Sequence, residues 1–239
     1  MGKLDGTIAL VTGASRSIGK AIAVALAREG AKLVLAARTK ERLEATAAMV
    51  REAGSEALVV PTDVREEAQV EAMFDQTMAH YGRLDLLVNN SGIFGPSPID
   101  EFPTQVWDDL MATSLRGAFL CSRRAFKIMK AQGGGRIINI GSISASRVRE
   151  HNAAYSAAKF GLVGLTQTVA LEGRSHGITC GIYHPGVTRQ DDFPDMGGEA
   201  MMEQETAAGA VVFMASQPKD VNVLEMTQLP IDMPYLGRG

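Results

Sequence analysis

The feature that most constrains this chain is a set of short β-branched runs that are apolar at nearly every position. They read "TIALVT" (7–12), "KLVLAA" (32–37), "ALVVP" (57–61), "LDLLVNN" (84–90), "RIINIGS" (136–142), "TCGIYH" (179–184) and "VLEMTQL" (223–229). A strand with one wet face alternates apolar and polar residues. One that does not alternate is covered on both faces, as in a parallel sheet between two helix layers. Helical patterns lie between the runs, among them 18–29, 40–53, 66–81 and 153–175. This alternation predicts a doubly wound α/β fold with helices on both faces of the sheet. No repeat, low-complexity tract or linker interrupts it, so residues 1–239 are expected to form a single domain.

Composition narrows the partners. Apolar residues make up 46% and charged residues 21% of the chain, the balance of an ordinary globule. A net charge of −3 gives no footprint for nucleic acid or an anionic membrane. No apolar run reaches membrane-spanning length, and the first residues carry no signal-peptide core. Cys121 and Cys180 each stand inside an apolar segment, which predicts reduced core cysteines in a cytoplasmic protein. The histidines at 80, 151, 176 and 184 lack metal-ligand spacing, so no metal is expected. "FGLVGLTQTVALEG" (160–173) is apolar around most of a helix. Either that helix is wholly internal or it lies between its own sheet and a partner subunit. The second reading is favoured and predicts a homodimer or homotetramer.

"VTGASRSIG" (11–19) follows the first strand pattern and opens the first helix. Main-chain N–H groups at a helix start, with the dipole behind them, seat a pyrophosphate well. Gly13 and Gly19 permit the tight turn and a close approach of ligand to backbone. The pattern is T-G-x-x-x-S-x-G and not G-x-G-x-x-G, and alone it is a weak sign of a nucleotide. At the end of the second strand an NAD site places a carboxylate, but "LVLAART" offers Ala37 and Arg38. Arg38 either grips a 2′-phosphate, with Arg16 as a second cation, or opens the solvated helix "RTKERLE". The first alternative predicts NADP(H).

Together the motifs resemble the short-chain dehydrogenase/reductase family. "TGASRSIG" looks like its cofactor turn, "NNSG" (89–92) is similar to its Asn-Asn-Ala-Gly, and "YSAAK" (155–159) matches its Tyr-x-x-x-Lys. Ser142 stands thirteen residues before Tyr155, as the family's serine does, and "HPGVT" (184–188) resembles its Pro-Gly segment. The motifs occur in the family's order across nearly the whole chain. The resemblance implies a Rossmann fold with a seven-stranded parallel sheet, a nicotinamide cofactor, and redox chemistry on a small carbonyl or alcohol substrate. It assigns cofactor binding to about residues 1–140 and catalysis to about 141–239. Gly13, Ser15, Arg16, Ser17, Ile18 and Gly19 would hold the cofactor at the turn; Asp63 and Val64 would meet the adenine. Asn90 and Gly92 would line the cleft, and Pro185, Gly186, Val187 and Thr188 would meet the nicotinamide. Asp63 has a second reading, as N-cap of the helix that begins near Glu66.

The chemistry agrees with this assignment. Residues four apart share a helix face, so Tyr155 and Lys159 can reach one ligand. A free phenol has a pKa of ~10. An ammonium at ~4 Å favours phenolate by about 4 kcal/mol at an effective dielectric of ~20, before desolvation. That makes Tyr155 a general acid and base, with Lys159 also bonding the nicotinamide ribose and Ser142 holding the substrate oxygen.

Some positions depart from the family. Ser17 replaces a glycine, and its hydroxyl is expected to cap the helix or touch phosphate. Ser91 replaces an alanine, Gln190 stands where threonine is common, and Ser114 stands where the family has an asparagine in its proton relay. The C-terminus resembles a branch acting on hydroxy acids and other compact alcohols. A short substrate lid is expected over 189–203, with Ile93, Phe94, Val148, His151 and His184 near the pocket. Arg147 and Arg149 read as solvated loop charges or as contacts for an acidic substrate. Competing readings are an NADPH-binding redox sensor without turnover and an epimerase or dehydratase on the same scaffold.

Overall fold

The computed structural model describes residues 2–191 and 198–234. Seven strands follow in chain order: β1 (Ile8–Thr12), β2 (Lys32–Ala37), β3 (Ala57–Pro61), β4 (Leu86–Asn89), β5 (Gly135–Ile140), β6 (Ile178–Pro185) and β7 (Glu225–Gln228). They form one sheet in the order β3-β2-β1-β4-β5-β6-β7, and every neighbouring pair is parallel. The chain builds outward from β1 to β3, then returns to the other side of β1 as β4 and builds outward again. Parallel neighbours need crossovers, which helices supply. These are α1 (Ser17–Arg28), α2 (Lys40–Glu52), α3 (Glu67–Tyr81), α4 (Thr104–Met111), α5 (Gly117–Gln132), α6 (Ala153–Gly173) and α7 (Gln204–Ala215).

The pleat explains why the strand sequences do not alternate. Ala9 and Val11 of β1 face one core with Ile22 and Leu26 of α1, Leu43 of α2 and Val211 of α7. Leu10, between them, faces a second core with Phe74 of α3 and Leu120 and Ile128 of α5. Each such valine, leucine, isoleucine or phenylalanine contributes about 1.5–3 kcal/mol on burial. β7 is the exception: it lies at the edge and is at most half-buried. The expected strands at 84–90 and 136–142 overrun their ladders, which stop at Asn89 and Ile140. Asn90 and Ser142 therefore stand just past the ends of β4 and β5.

A buried polar chain ties the sheet to its helices. Asn89 Nδ2 donates to Ser122 Oγ on α5 and to Asn139 Oδ1, both at 2.9 Å, and Asn139 Nδ2 donates to Thr166 Oγ1 on α6 at 2.8 Å. α6 packs Leu162 against Ile182 of β6 and Ala118 of α5. Phe160 and Leu171 of α6, with Phe119 of α5, are exposed. Between α4 and α5 the helix takes one π turn, Ala112–Arg116. Among the described residues, no helix is long and apolar enough to cross a membrane.

Candidate active site

Residues 13–16 turn the chain from β1 into α1. Gly13 has φ +66°, and a Cβ there would come within 2.8 Å of Asn90 Nδ2. A Cβ on Gly19 would meet Gly13 O at 2.2 Å, so the start of α1 can lie on the turn only without one. Asn90 fastens the arrangement. Its Nδ2 donates to Thr12 O at 3.0 Å and Gly13 O at 3.2 Å. Thr12 Oγ1 accepts from the N–H groups of Asn90 at 3.0 Å and Ser91 at 3.1 Å. The turn thus sits at the carboxyl ends of β1 and β4, where the strand order reverses and α/β sheets bind ligands.

Ser17 holds φ +46°, the left-handed conformation that glycine adopts without strain. Its hydroxyl makes no helix cap, contrary to one expectation. Oγ instead accepts from the Asp191 N–H at 3.0 Å, while the Ser17 N–H donates to Asp191 Oδ2 at 2.9 Å. Lys20 Nζ and Gln204 Nε2 donate to the same carboxylate, each at 2.8 Å. Burial pushes the Asp191 carboxyl up, but hydrogen bonds from Gln204, Lys20 and the Ser17 N–H outweigh it and hold the group down at about 2. A carboxylate therefore already rests on the helix start. A glycine-lined turn and an anion-holding helix N-terminus fit the diphosphate of a dinucleotide. Of the neighbouring turn residues, Arg16 is exposed, Ser15 half-buried, and Ile18 packs on the α1 core.

Arg38 is exposed just past β2 and lies near enough to Asp63 to help lower that carboxyl. Asp63 is not an N-cap: the cap residue of α3 is Glu66, without a side-chain bond. Asp63 is bound instead by Arg65, whose Nη2 lies 2.7 Å from Oδ2 and whose Nη1 reaches Asp109 at 2.9 Å. The short Asp63–Arg65 spacing favours this local pair over the cap. Val64 is buried against Gly117.

Ser142, Tyr155 and Lys159 converge above β5. Ser142 Oγ accepts from the Ser144 N–H at 3.1 Å and lies close enough to the Tyr155 hydroxyl to act on its acidity. The half-buried Tyr155 ring meets Phe94 edge-on at 5.4 Å. Lys159 Nζ is buried, donates to Ile140 O at 2.7 Å and lies 5.6 Å from the Tyr155 ring centroid. This corrects the expectation of an acidified phenol. Burial holds Tyr155 above its ordinary value, opposed by the neighbouring Ser142 hydroxyl, and burial pushes Lys159 down to about 8. Desolvation here disfavours both charged forms. At neutral pH the phenol keeps its proton.

The π turn aims Ser114 inward. Its Oγ is buried and has no hydrogen-bond partner among the described residues. A Cβ on the exposed Gly92 would lie in ordinary contact, 3.6 Å from Ser114 Oγ and 4.0 Å from Lys159 Nζ, so this glycine borders both side chains. Such π turns are frequent at functional sites.

Around the opening, Phe94, Val148 and His151 are exposed and Ile93 is half-buried. His184 is not among them: only 3% exposed, it lies behind Ser142. Pro185 and Gly186 are buried where β6 ends; Val187 O accepts from the Met202 N–H, and Thr188 Oγ1 donates to Gly186 O at 3.1 Å. Gln190 Nε2 donates to Thr188 O at 3.0 Å. Arg149 pairs with Glu199 at 2.7 Å, which joins the loop after Ser142 to the expected lid. Residues 192–197 of that lid lie outside the described residues. Sequence reasoning missed the Asp191–Ser17 contact, because no local pattern links positions 174 residues apart.

Asp191 gives this region a pH signature. Its folded pKa lies below the unfolded value, so its contribution is present above pH ~4 and is lost as pH falls towards 2. Allowing for its partial exposure, this is on the order of 1 kcal/mol. Asp191→Asn should flatten that part of the acid limb in urea denaturation series. An unchanged slope between pH 4 and pH 2 would contradict the contact.

A short chain dehydrogenase family model matches residues 7–200. The uncharacterized oxidoreductase YxjF of Bacillus subtilis is 44% identical over 179 residues, covering 75% of this chain and 70% of that protein. A 3-oxoacyl-[acyl-carrier-protein] reductase of Synechocystis sp. is 36% identical over 228 residues, 91% of this chain and 92% of that one. The crystal structure of a dehydrogenase/reductase from Sinorhizobium meliloti superposes with a TM-score of 0.89 at 36% identity, covering 95% of each chain. The match runs from β1 past β6 and takes in both the glycine turn and the serine–tyrosine–lysine group, so the chain belongs to the short-chain dehydrogenase family of oxidoreductases, whose members use a nicotinamide cofactor.

Proposed function

We propose that the protein is a cytoplasmic NADPH-dependent carbonyl reductase, working reversibly as an alcohol dehydrogenase on a small substrate. About residues 1–140 seat the cofactor, and the remainder carries catalysis and substrate. The observation that carries this reading is geometric: the Tyr155 phenol stands beside Ser142, with the buried Lys159 ammonium one helical turn along and 5.6 Å from its ring centroid. A bound nicotinamide supplies the hydride chemistry. The Ser142 and Tyr155 hydroxyls hold the carbonyl oxygen, and their hydrogen bonds strengthen as negative charge grows on it. Tyr155 gives its proton to that oxygen, becoming phenolate. Lys159 stabilises the phenolate and, with Ser114 beside Gly92, marks the side from which the proton is restored. Phe94 walls the oxygen's approach.

Preference for NADPH rests on Arg38 at the end of β2, where Ala37 stands in place of a carboxylate. A guanidinium there attracts a 2′-phosphate by charge-assisted hydrogen bonds. Homo-oligomerisation is supported by the exposed Phe119, Phe160 and Leu171 on α5 and α6.

A screen of ketones, keto acids, sugars and a 3-oxoacyl thioester should show net oxidation of NADPH. The thioester is included because the Synechocystis relative bears that reductase name. NADPH binding with no turnover across the screen would favour a sensor instead. Tyr155→Phe should lower kcat/KM by about 10²–10⁴-fold, and full activity would refute its role. Arg38→Asp should cut the NADPH-over-NADH preference by about tenfold or more. An unchanged ratio would remove the cofactor assignment. Sedimentation should give a twofold or fourfold multiple of 25.5 kDa, and a monomer at micromolar concentration would overturn the oligomer.

A further inference from the structure

We propose that His184 is a positioning residue for Ser142: its imidazole clamps the main chain that carries the substrate-holding hydroxyl. The inference rests on the carbonyl-reductase reading for what Ser142 does. Its structural part stands on the ring itself.

The β5–β6 ladder ends at the pair Ile140 and Tyr183, followed by a last main-chain bond from the Gly141 N–H to Tyr183 O at 2.7 Å. Beyond it, Pro185 has no N–H with which to continue. Ser142, in extended backbone at φ −170°, would otherwise leave the sheet unheld on that side. The His184 side chain supplies the missing rung. Nδ1 lies 3.1 Å from Ser142 N and 2.8 Å from Ser142 O. The ring lies against Gly141 so closely that a Cβ there would come 2.5 Å from Nδ1 and 2.7 Å from Cε1. Residue 141 must therefore be glycine for the clamp to close.

Nε2 lies 3.4 Å from Glu225 Oε1 of β7 but has no hydrogen-bond partner among the described residues. Nδ1 can therefore serve the Ser142 peptide in either neutral tautomer: with its hydrogen it donates to Ser142 O, and without it it accepts from the Ser142 N–H. The charged groups that act on the ring are Glu225 from β7 and Lys159 from α6. Burial pushes His184 below its ordinary value, against the Ser142 bond and Glu225, while Lys159 adds to the lowering. The ring is thus neutral near pH 7. Protonation fixes a hydrogen on Nδ1, so the charged ring bonds the Ser142 carbonyl alone. Either state grips the same peptide.

Substitutions separate this role from simple packing. His184→Asn does not fill the ring's volume, but its short amide can present an oxygen or an N–H near the Nδ1 position and still bond the Ser142 peptide. His184→Leu keeps bulk without an acceptor, and His184→Gln reaches towards Glu225. On the carbonyl that gives the best turnover, His184→Leu should lower kcat by about tenfold while NADPH binding, read by its fluorescence, changes less than about twofold. His184→Asn should recover most of the loss. Amide hydrogen exchange at Ser142 gives a readout that needs no substrate: faster in His184→Leu, near wild type in His184→Asn. If His184→Leu does not fold, His184→Gln takes its place in both measurements. Wild-type kcat and exchange in the Leu or Gln protein, or equal impairment in it and the Asn protein, would overturn the inference. Tyr155→Phe run alongside tells the two failures apart. Loss of activity there with an unimpaired His184→Leu sinks the clamp alone, while full activity there removes the reductase reading and the clamp's catalytic purpose with it.

Discussion

A sheet walled by helices on both faces can present chemistry only where its strands stop. The main-chain groups at those ends have left the ladder and must find other partners. In this protein the partners include residues of the candidate site. Asn90 bonds the carbonyls of Thr12 and Gly13, Lys159 bonds the carbonyl of Ile140, and Thr12 receives two N–H groups from the loop after β4. The residues that satisfy the frayed edge are thereby held in fixed positions around one crevice. Fold stability and site geometry share the same hydrogen bonds.

Much of this was legible in the sequence because strand and helix periodicities report burial directly. β2 and β3 fall on the expected residues, since their runs are bounded by turn signals at both ends. β7 was legible as a strand but not as an exposed edge, because its neighbours in space are set by topology. The family motifs located Ser142, Tyr155 and Lys159, and the structure brings these three together. What the motifs could not carry was partner choice. Asp63 pairs with Arg65 two residues away, Ser17 pairs with Asp191 across the chain, and His184 turns inward beneath Ser142. Each depends on which side chains meet in three dimensions, and no local spacing encodes that.

The electrostatics of the tyrosine–lysine pair differ from the simple Coulomb picture. Two charges in water attract, but two groups moved into a low-dielectric site first lose their hydration. Lys159 is 5% exposed, and its ammonium is stabilised chiefly by one carbonyl. Its pKa falls to about 8, below the unfolded value, so charging it opposes folding. That contribution weakens as pH rises through the folded value towards the unfolded one, where both states lose the proton. A cation buried at such a cost in stability is what the proposed role of Lys159 beside Tyr155 would require.

The single π turn between α4 and α5 has a consequence for how this segment can change. A helix that absorbs one extra residue advances everything after it by about 100°. Downstream of Arg116, that phase puts Leu120, Cys121 and Ala125 into the core and leaves Phe119 outside. Deleting one residue to restore a regular helix would rotate the buried stripe away from the sheet as well as turning Ser114 from its buried position. The inward serine and the packing of the helix behind it are therefore inherited as one unit, and neither can be edited without the other.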